Sequence, residues 1–459
     1  MSENRDLTQA WSLEKRGRLV KAEAAYSRLL RRKSTSLALS IACREGLNRC
    51  RDLRSAFRLD RAELWRRLKS DFPDLTRERF ANWDRTGCLL ARRIDGEKRY
   101  DAMIPRNIAW RDAWAREQNP DFQQQLEGYH TTIWPWVEEA KTAPAAWKPY
   151  RLTLGVTIRR EDLPRGNTVR IWVPFPLQTA QIGDISIASV RPQGALKMAP
   201  RPDASLGSAY MEVSRPSSGD VRASITVSLM SRPNVVPVPR RPGEIDPDAS
   251  FCSDYTRSTQ HQRVSPRVTE LAAELTSGAK TPWEKARRIY DHLLATVPYG
   301  WNWHWRSAIF SPYGSASQSV LGTGFGDCVT QSCLFVALCR AVGIPARVTG
   351  GRFLCANDHY WAEFFEPSRG WVPVDPTIPN ALMMAPGLSR RQINAVRDFY
   401  FGGLESLRLT MHREQLAPPL DPPKRSERRR SAFLSTFAEA ECGGRNVERS
   451  TLTVRYKPI

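Results

Sequence analysis

Gly324-Phe-Gly-Asp327-Cys328-Val-Thr-Gln-Ser-Cys333-Leu-Phe-Val-Ala-Leu-Cys339-Arg-Ala-Val-Gly343-Ile-Pro-Ala-Arg347 is the stretch on which the reading of this chain turns. Its glycines supply a tight turn, Asp327 is a good N-cap, and the apolar run Leu334 to Leu338 continues to Ala341 and Val342. Gly343 then offers a left-handed stop and Pro345 forbids continuation. The pattern predicts a buried helix with Cys328 in its first turn. A thiol there feels the positive end of the helix dipole, which favours thiolate and hence nucleophilicity. Asp327 next to it opposes part of that shift, so a base from elsewhere in the chain is required. Cys333 and Cys339, further along the same helix, read as inert core residues.

Of six histidines, one lies in a strand-like run, Asn357-Asp-His359-Tyr-Trp-Ala-Glu-Phe-Phe365. A second strand-like run, Trp371-Val-Pro-Val-Asp375-Pro-Thr377, follows after Pro367-Ser-Arg-Gly370, and a hairpin is the economical reading. A loop over Glu366 to Gly370 sets Phe365 opposite Trp371 and Trp361 opposite Asp375. His359 and Asp375 then share one face as diagonal neighbours. A loop one residue shorter puts them on opposite faces. Taken alone, His359 is a satisfied strand histidine and Asp375 before Pro376 a turn residue; with Cys328 they form a Cys/His/Asp set. His304, among tryptophans in Tyr299-Gly-Trp-Asn-Trp-His-Trp305, is the rival base.

Gly-Asp-Cys328 at a helix start, Arg340-Ala-Val-Gly-Ile-Pro-Ala-Arg347 at its end, then Asp358-His359-Tyr-Trp-Ala-Glu and Gly370-Trp-Val-Pro-Val-Asp375-Pro-Thr resemble the core of the transglutaminase-like superfamily. The resemblance covers roughly residues 265 to 380. It implies a papain-like Cys-His-Asp triad on an α+β fold, with Cys328 as nucleophile, His359 as base and Asp375 as orienter. Acyl transfer or amide hydrolysis through a Cys328 thioester is the expected chemistry, on a protein or peptide substrate, without metal or organic cofactor. The Cys328 backbone N–H is one expected oxyanion donor, and the superfamily's upstream polar or aromatic donor has three candidates here, Trp301, Asn302 and Trp303. The alternative is a non-catalytic interaction protein with a vestigial triad.

At 459 residues the chain has room for about three domains, and 41% hydrophobic residues with 15 tryptophans exclude general disorder. Nine scattered cysteines show neither a disulfide framework nor a paired Cys-x-x-Cys metal signature, which suits a reducing compartment. The N-terminus has no signal-type apolar core and no run approaches the ~18 residues of a membrane span, so the cytoplasm is expected. The net charge of +21, from 69 basic against 48 acidic residues, would draw anionic partners. Its arginines are spread along the chain, however, which argues against a dedicated nucleic-acid face. The denser run Pro423-Lys-Arg-Ser-Glu-Arg-Arg-Arg430 reads as a solvated loop.

The expected fold is an α+β multidomain chain: a helical N-terminal region (1–148), an antiparallel β-sandwich (149–231), a proline-rich linker (232–264) and a transglutaminase-like domain with C-terminal strands (265–459). Residues 8 to 50 read as two helices with one tetratricopeptide-like unit at Gly17 to Leu30, which must dock on something else to bury its face. Two short helices, Arg61 to Lys69 and Thr76 to Asp84, precede a hairpin turning on Asp95-Gly96. That order hints at a winged helix, although Glu78, Phe80, Trp83 and Asp84 make a poor major-groove face. Residues 104 to 148 read as tryptophan-rich helix. Alternation at Leu152 to Ile158, Val169 to Phe175 and Val221 to Leu229 predicts the sandwich. Thr281-Pro-Trp-Glu284 predicts a capping box, and Tyr299 to Thr323 a cleft wall or lid. Leu407 to Met411 and Ser450 to Tyr456 read as strands that extend the catalytic sheet.

Overall fold

The structure, a computed structural model, describes all residues except 1, 33–35, 145, 202–203, 242, 244, 246–249, 303–314, 354–357, 407, 414–419 and 426–437. The chain divides into two units, Met1–Glu127 with Val297–Thr330, and Gly128–Thr296 with Gln331–Ile459. The helix that carries Cys328 begins in the first and continues in the second.

In the first unit three helices, Ser2–Lys15, Leu19–Leu30 and Leu37–Ala56, stand where two were expected. The extra break falls at Gly17, whose φ of 71° is left-handed and whose carbonyl accepts the Asp95 N–H at 2.8 Å. A Cβ there would lie 2.0 Å from the Arg93 carbonyl oxygen, so a side chain is excluded. Leu19, Ala22, Tyr26 and Leu29, at helical spacing, bury one stripe against Ala10, Cys43, Cys50 and Phe57. The tetratricopeptide-like hairpin thus finds its cover inside its own unit. Within that core Glu14 is paired with Arg49 at 2.7 Å and accepts the Tyr26 hydroxyl at 2.7 Å, which satisfies an otherwise costly buried carboxylate.

Helices Arg61–Asp71 and Arg77–Arg85 follow, N-capped by Asp60 and Thr76. The hairpin Ala91–Ile94 with Glu97–Tyr100 turns on Asp95 and Gly96 as expected. Phe80 and Trp83 lie in a core with Leu64, Leu68, Phe72 and Tyr100, while Asp84 bridges Arg61 and Lys98. The face that a winged helix would present to a groove is therefore packed inside. Of the residues 104 to 148 read as helix, the structure has Ile104–Arg111, Ala113–Glu117 and Pro120–Thr142, the last running from the first unit into the second, and Lys148 already opens a strand.

The second unit contains two sheets that share one apolar core. The four-stranded sheet runs Thr451–Pro458, Lys148–Ile158, Val221–Ser231, Ile182–Arg191; the five-stranded one runs Arg445–Asn446, Glu439–Cys442, Thr168–Pro174, Ser208–Ser214, Leu196–Met198. Leu152, Leu154 and Val156 from one and Val169, Ile171 and Val173 from the other meet in that core. The tail strand corrects the sequence expectation: Thr451–Pro458 pairs with Lys148–Ile158 and completes the sandwich rather than the catalytic sheet. The reason lies in Leu452 and Val454, whose alternation packs them against the sandwich core.

A separate antiparallel sheet has the order Gly370–Val374, Asp358–Glu366, Ala346–Phe353, Arg408–Arg413. Here the expectation of a strand agrees with the structure from Arg408 to Met411, residue 407 lying outside the described residues. Helix Pro282–Thr296 opens on the predicted capping box, with the Glu284 N–H donating to Thr281 Oγ1 at 3.1 Å and the Thr281 N–H to Glu284 Oε2 at 3.3 Å. It sets Trp283 edge-on to Phe364 of the sheet. The proline-rich connector is held by Asn234–Val235 pairing with Gly403–Leu404.

Candidate active site

Helix Cys328–Ala341 starts at the predicted residue. Asp327 Oδ1 accepts the Thr330 N–H at 3.0 Å, and Thr330 Oγ1 in turn accepts the Asp327 N–H at 2.9 Å. This reciprocal cap fixes the first turn of the helix at Cys328. Gly343, at φ 76°, ends the helix, with the Ile344 N–H donating to the Cys339 carbonyl at 3.0 Å. Cys328 is 9% exposed, whereas Cys333 and Cys339 are wholly buried. Burial pushes the Cys339 thiol far up, and Cys333 Sγ accepts a long bond from Gln262. Replacing Asp327 with alanine is expected to cost about 1–2 kcal/mol, read by urea denaturation.

The approach to Cys328 is braced within the first unit. Gly300 N–H donates to the Gly326 carbonyl at 3.1 Å, and Asn107 clamps the Trp301 backbone through both its N–H and its carbonyl. The Arg111 guanidinium lies 4.4 Å from the centre of the Phe325 ring. Asn302, fully buried, turns its Nδ2 toward Ser319, Thr323 and the Phe325 carbonyl. Its amide hydrogens are therefore spent on these acceptors and not available to an oxyanion. Trp303 and His304, with the rest of 303–314, lie outside the described residues, and the last part of the expected lid is a helix, Ala316–Thr323.

In the second unit the hairpin adopts the register that places both polar residues together. Phe365 faces Trp371 and Ala362 faces Val374. His359 Nε2 donates to Asp375 Oδ2 at 2.7 Å, with both side chains buried. The imidazole lies between Phe353 and Trp361, with ring centroids at 5.7 and 6.4 Å. Because Nε2 is taken by the carboxylate, Nδ1 is the nitrogen left to exchange a proton. Asp375 Oδ1 accepts from the Thr377 N–H at 2.9 Å, the Thr377 hydroxyl at 3.0 Å and the Ile378 N–H at 3.0 Å. Of the three residues singled out from sequence, the structure brings His359 and Asp375 into contact; Cys328 belongs to the first unit.

Behind this pair stands a cation that the sequence reading missed. Arg408 Nη1 donates to the same Asp375 Oδ2 at 2.5 Å, while its Nε and Nη2 hold the two Glu405 oxygens at 2.7 and 3.2 Å. Phe353, Trp361 and Tyr400 ring its guanidinium at 5.0 to 5.6 Å. Burial works against the charge of Arg408, but Glu405 and Asp375 outweigh it and raise its pKa. A signal was present: next to Leu409 and Met411, which join the sandwich core, Arg408 falls on the opposite face of its strand.

Burial alone would push the Asp375 carboxyl up. The charges of His359 and Arg408 and the hydrogen bonds outweigh it and hold the carboxyl well below the usual carboxylate range. With a native pKa below the unfolded value of about 3.9, this group stabilises the fold fully above that value. The contribution is lost as pH falls toward the native pKa. Asp375→Asn is therefore expected to flatten the acid limb of stability between about pH 5 and about pH 2, measured by denaturant midpoints.

The model of the transglutaminase-like superfamily core matches residues 269–376. An uncharacterised curated protein of Haemophilus influenzae is 26% identical over 193 residues, 33% of this chain and 48% of its own length. The chain thus spans about half the length of that relative. A solved "putative cysteine protease" from Cytophaga hutchinsonii superposes with a TM-score of 0.41 at 15% identity, over 69% of this chain and 92% of its own. A "putative protease" from Parabacteroides distasonis gives 0.20 at 12% identity, over 50% and 67%. At these scores neither structure bears on what this chain does. Cys328, His359 and Asp375 all fall inside the matched segment, and residues 269–376 are a transglutaminase-like domain.

Proposed function

We propose that this domain is a cysteine acyl-transfer enzyme that hydrolyses amides of a protein or peptide, with Cys328 as nucleophile, His359 as base and Asp375 as orienter. The observation that carries the reading is the buried His359–Asp375 hydrogen bond, 2.7 Å long, with Nδ1 of the ring left for a proton. The fixed helix start at Cys328 supports it, since the dipole there favours thiolate. None of the eight described cysteines, Cys328 among them, is in a disulfide, which suits a reducing compartment such as the cytoplasm. No helix among the described residues is long and apolar enough to cross a membrane.

In the proposed cycle the Cys328 proton passes to His359 Nδ1 and the sulfur attacks the carbonyl carbon. The Cys328 backbone N–H would stabilise the oxyanion. As the C–N bond breaks, the imidazolium returns its proton to the departing amine and leaves a thioester. Water, deprotonated by His359, then attacks the thioester and releases the carboxylate and the thiol. An amine in place of water would give transfer. Asp375 keeps the imidazole in one tautomer and balances its charge throughout.

The test uses p-nitrophenyl acetate as acyl donor. A burst of p-nitrophenolate is expected, with acetyl mapped to Cys328 by mass spectrometry and both absent in Cys328→Ala. Added methylamine distinguishes the fates: N-methylacetamide marks transfer, acetate alone marks hydrolysis. Acetylation spread over several residues and indifferent to Cys328 would overturn the reading.

A further inference from the structure

Asp375 offers one oxygen, Oδ2, to both His359 and Arg408, while its other oxygen is filled by three neutral donors. A guanidinium on the same oxygen that orients an imidazole opposes a second positive charge on the ring. Glu405, gripping Arg408 through both oxygens, returns a negative charge from behind. We propose that Arg408 and Glu405 are positioning residues for His359: Arg408 locks the shared carboxylate, and Glu405 sets how much of the Asp375 charge remains available to the imidazole. The inference rests on the reading of His359 as the base for Cys328.

The charged groups around the ring make the sign definite. On its own strand and the neighbouring one, Asp358 and Arg352 pair at 3.0 Å and cancel. Tyr290, on helix Pro282–Thr296, and Tyr400, after helix Arg390–Phe399, are fully enclosed and keep their protons, because burial holds both phenols well above their ordinary range. Asp375, Arg408 and Glu405 remain, and all three side chains are fully buried. Against a neutral imidazole their sum is one negative charge, and an imidazolium brings it to zero. Neutralising Glu405 alone leaves Asp375 and Arg408 to cancel each other, so the imidazolium loses its counter-charge. Neutralising Glu405 and Arg408 together keeps the net charge at one negative, but it removes the cation that shares Oδ2 with the ring along with an anion one group further away, so the Asp375 charge acts on the imidazole unopposed at short range.

The two changes thus push His359 in opposite directions, which a general loosening of the core would not do. With histidine labelled at Cε1, the His359 resonance is assigned among the six histidines with His359→Gln and followed through a pH titration. In Glu405→Gln its midpoint is expected to fall by about one pH unit, the order of magnitude for losing one charge two hydrogen-bonded groups away. In Glu405→Leu/Arg408→Met it is expected to rise by about the same amount, and Glu405→Asp is expected to lie within about 0.3 unit of wild type. Should Glu405→Gln fail to fold, the rise in the double variant decides. Midpoints that stay put, or that move in the same direction in both variants, overturn the inference. Labelling of Cys328 by iodoacetamide in the same samples separates the two ideas. Opposite shifts with a Cys328 no more reactive than the half-buried Cys88 uphold the charge arrangement and sink the enzyme reading.

Discussion

Arg408→Ala is expected to lower the free energy of unfolding by about 3–5 kcal/mol. The guanidinium is fully buried and is the cation for two fully buried carboxylates, Asp375 and Glu405. Truncation leaves both without it in an apolar shell of Phe353, Trp361 and Tyr400. Relaxation cannot readily bring water in, so each carboxylate must bear its desolvation or take up a proton. Removing the Arg408–Glu405 pair together should cost much less, within about 2 kcal/mol of wild type, because a buried ion pair barely repays its own desolvation. Urea unfolding of the two variants checks this. A double variant as unstable as Arg408→Ala would mean that shape, rather than charge, dominates the site.

The second large effect concerns chemistry. Cys328→Ala and His359→Ala are each expected to lower the rate of p-nitrophenolate release by about 1,000-fold or more. Residues that act as a unit fail together, so the double variant should lose little beyond either single one. Stability should move far less than rate for Cys328, because its thiol sits at a helix start rather than in the deep core occupied by Cys333 and Cys339. Parallel thermal melts separate the two readouts. Multiplicative losses in the double variant would indicate that thiol and imidazole do not cooperate.

Much of the local structure was legible because it depends on short-range rules. The Gly343 stop, the Asp327 cap and the Thr281–Glu284 box are each decided by residues within five positions of one another. The hairpin register was legible for a related reason: the turn length at Pro367 to Gly370 determines which face every residue of the strand occupies. The destination of the tail was not. Thr451–Pro458 alternates like any half-buried strand, and nothing local tells it to pair with Lys148–Ile158, some 300 residues earlier. The third N-terminal helix was hidden in the same way, because the break at Gly17 is fixed by a hairpin carbonyl at Arg93.

The candidate site divides along the same line. Cys328, His359 and Asp375 carry motif signals, whereas Arg408 and Glu405 sit in a strand end and a turn whose role appears only when the sheet is assembled. Asn302 shows the converse. In sequence it is one of three unranked candidates for an oxyanion donor, but Ser319 and Thr323 of helix Ala316–Thr323 and the Phe325 carbonyl take its amide hydrogens.

Whether Cys328 is an activated nucleophile is read most directly from its alkylation rate by iodoacetamide near neutrality, mapped by mass spectrometry in wild type and His359→Ala. Cys88, half-buried and with its thiol pushed up by burial, is the internal reference. The account predicts that Cys328 reacts at least about tenfold faster than Cys88, although it is the more buried of the two, and that His359→Ala abolishes the advantage. A Cys328 that reacts no faster than Cys88, or whose rate ignores the loss of His359, would contradict it.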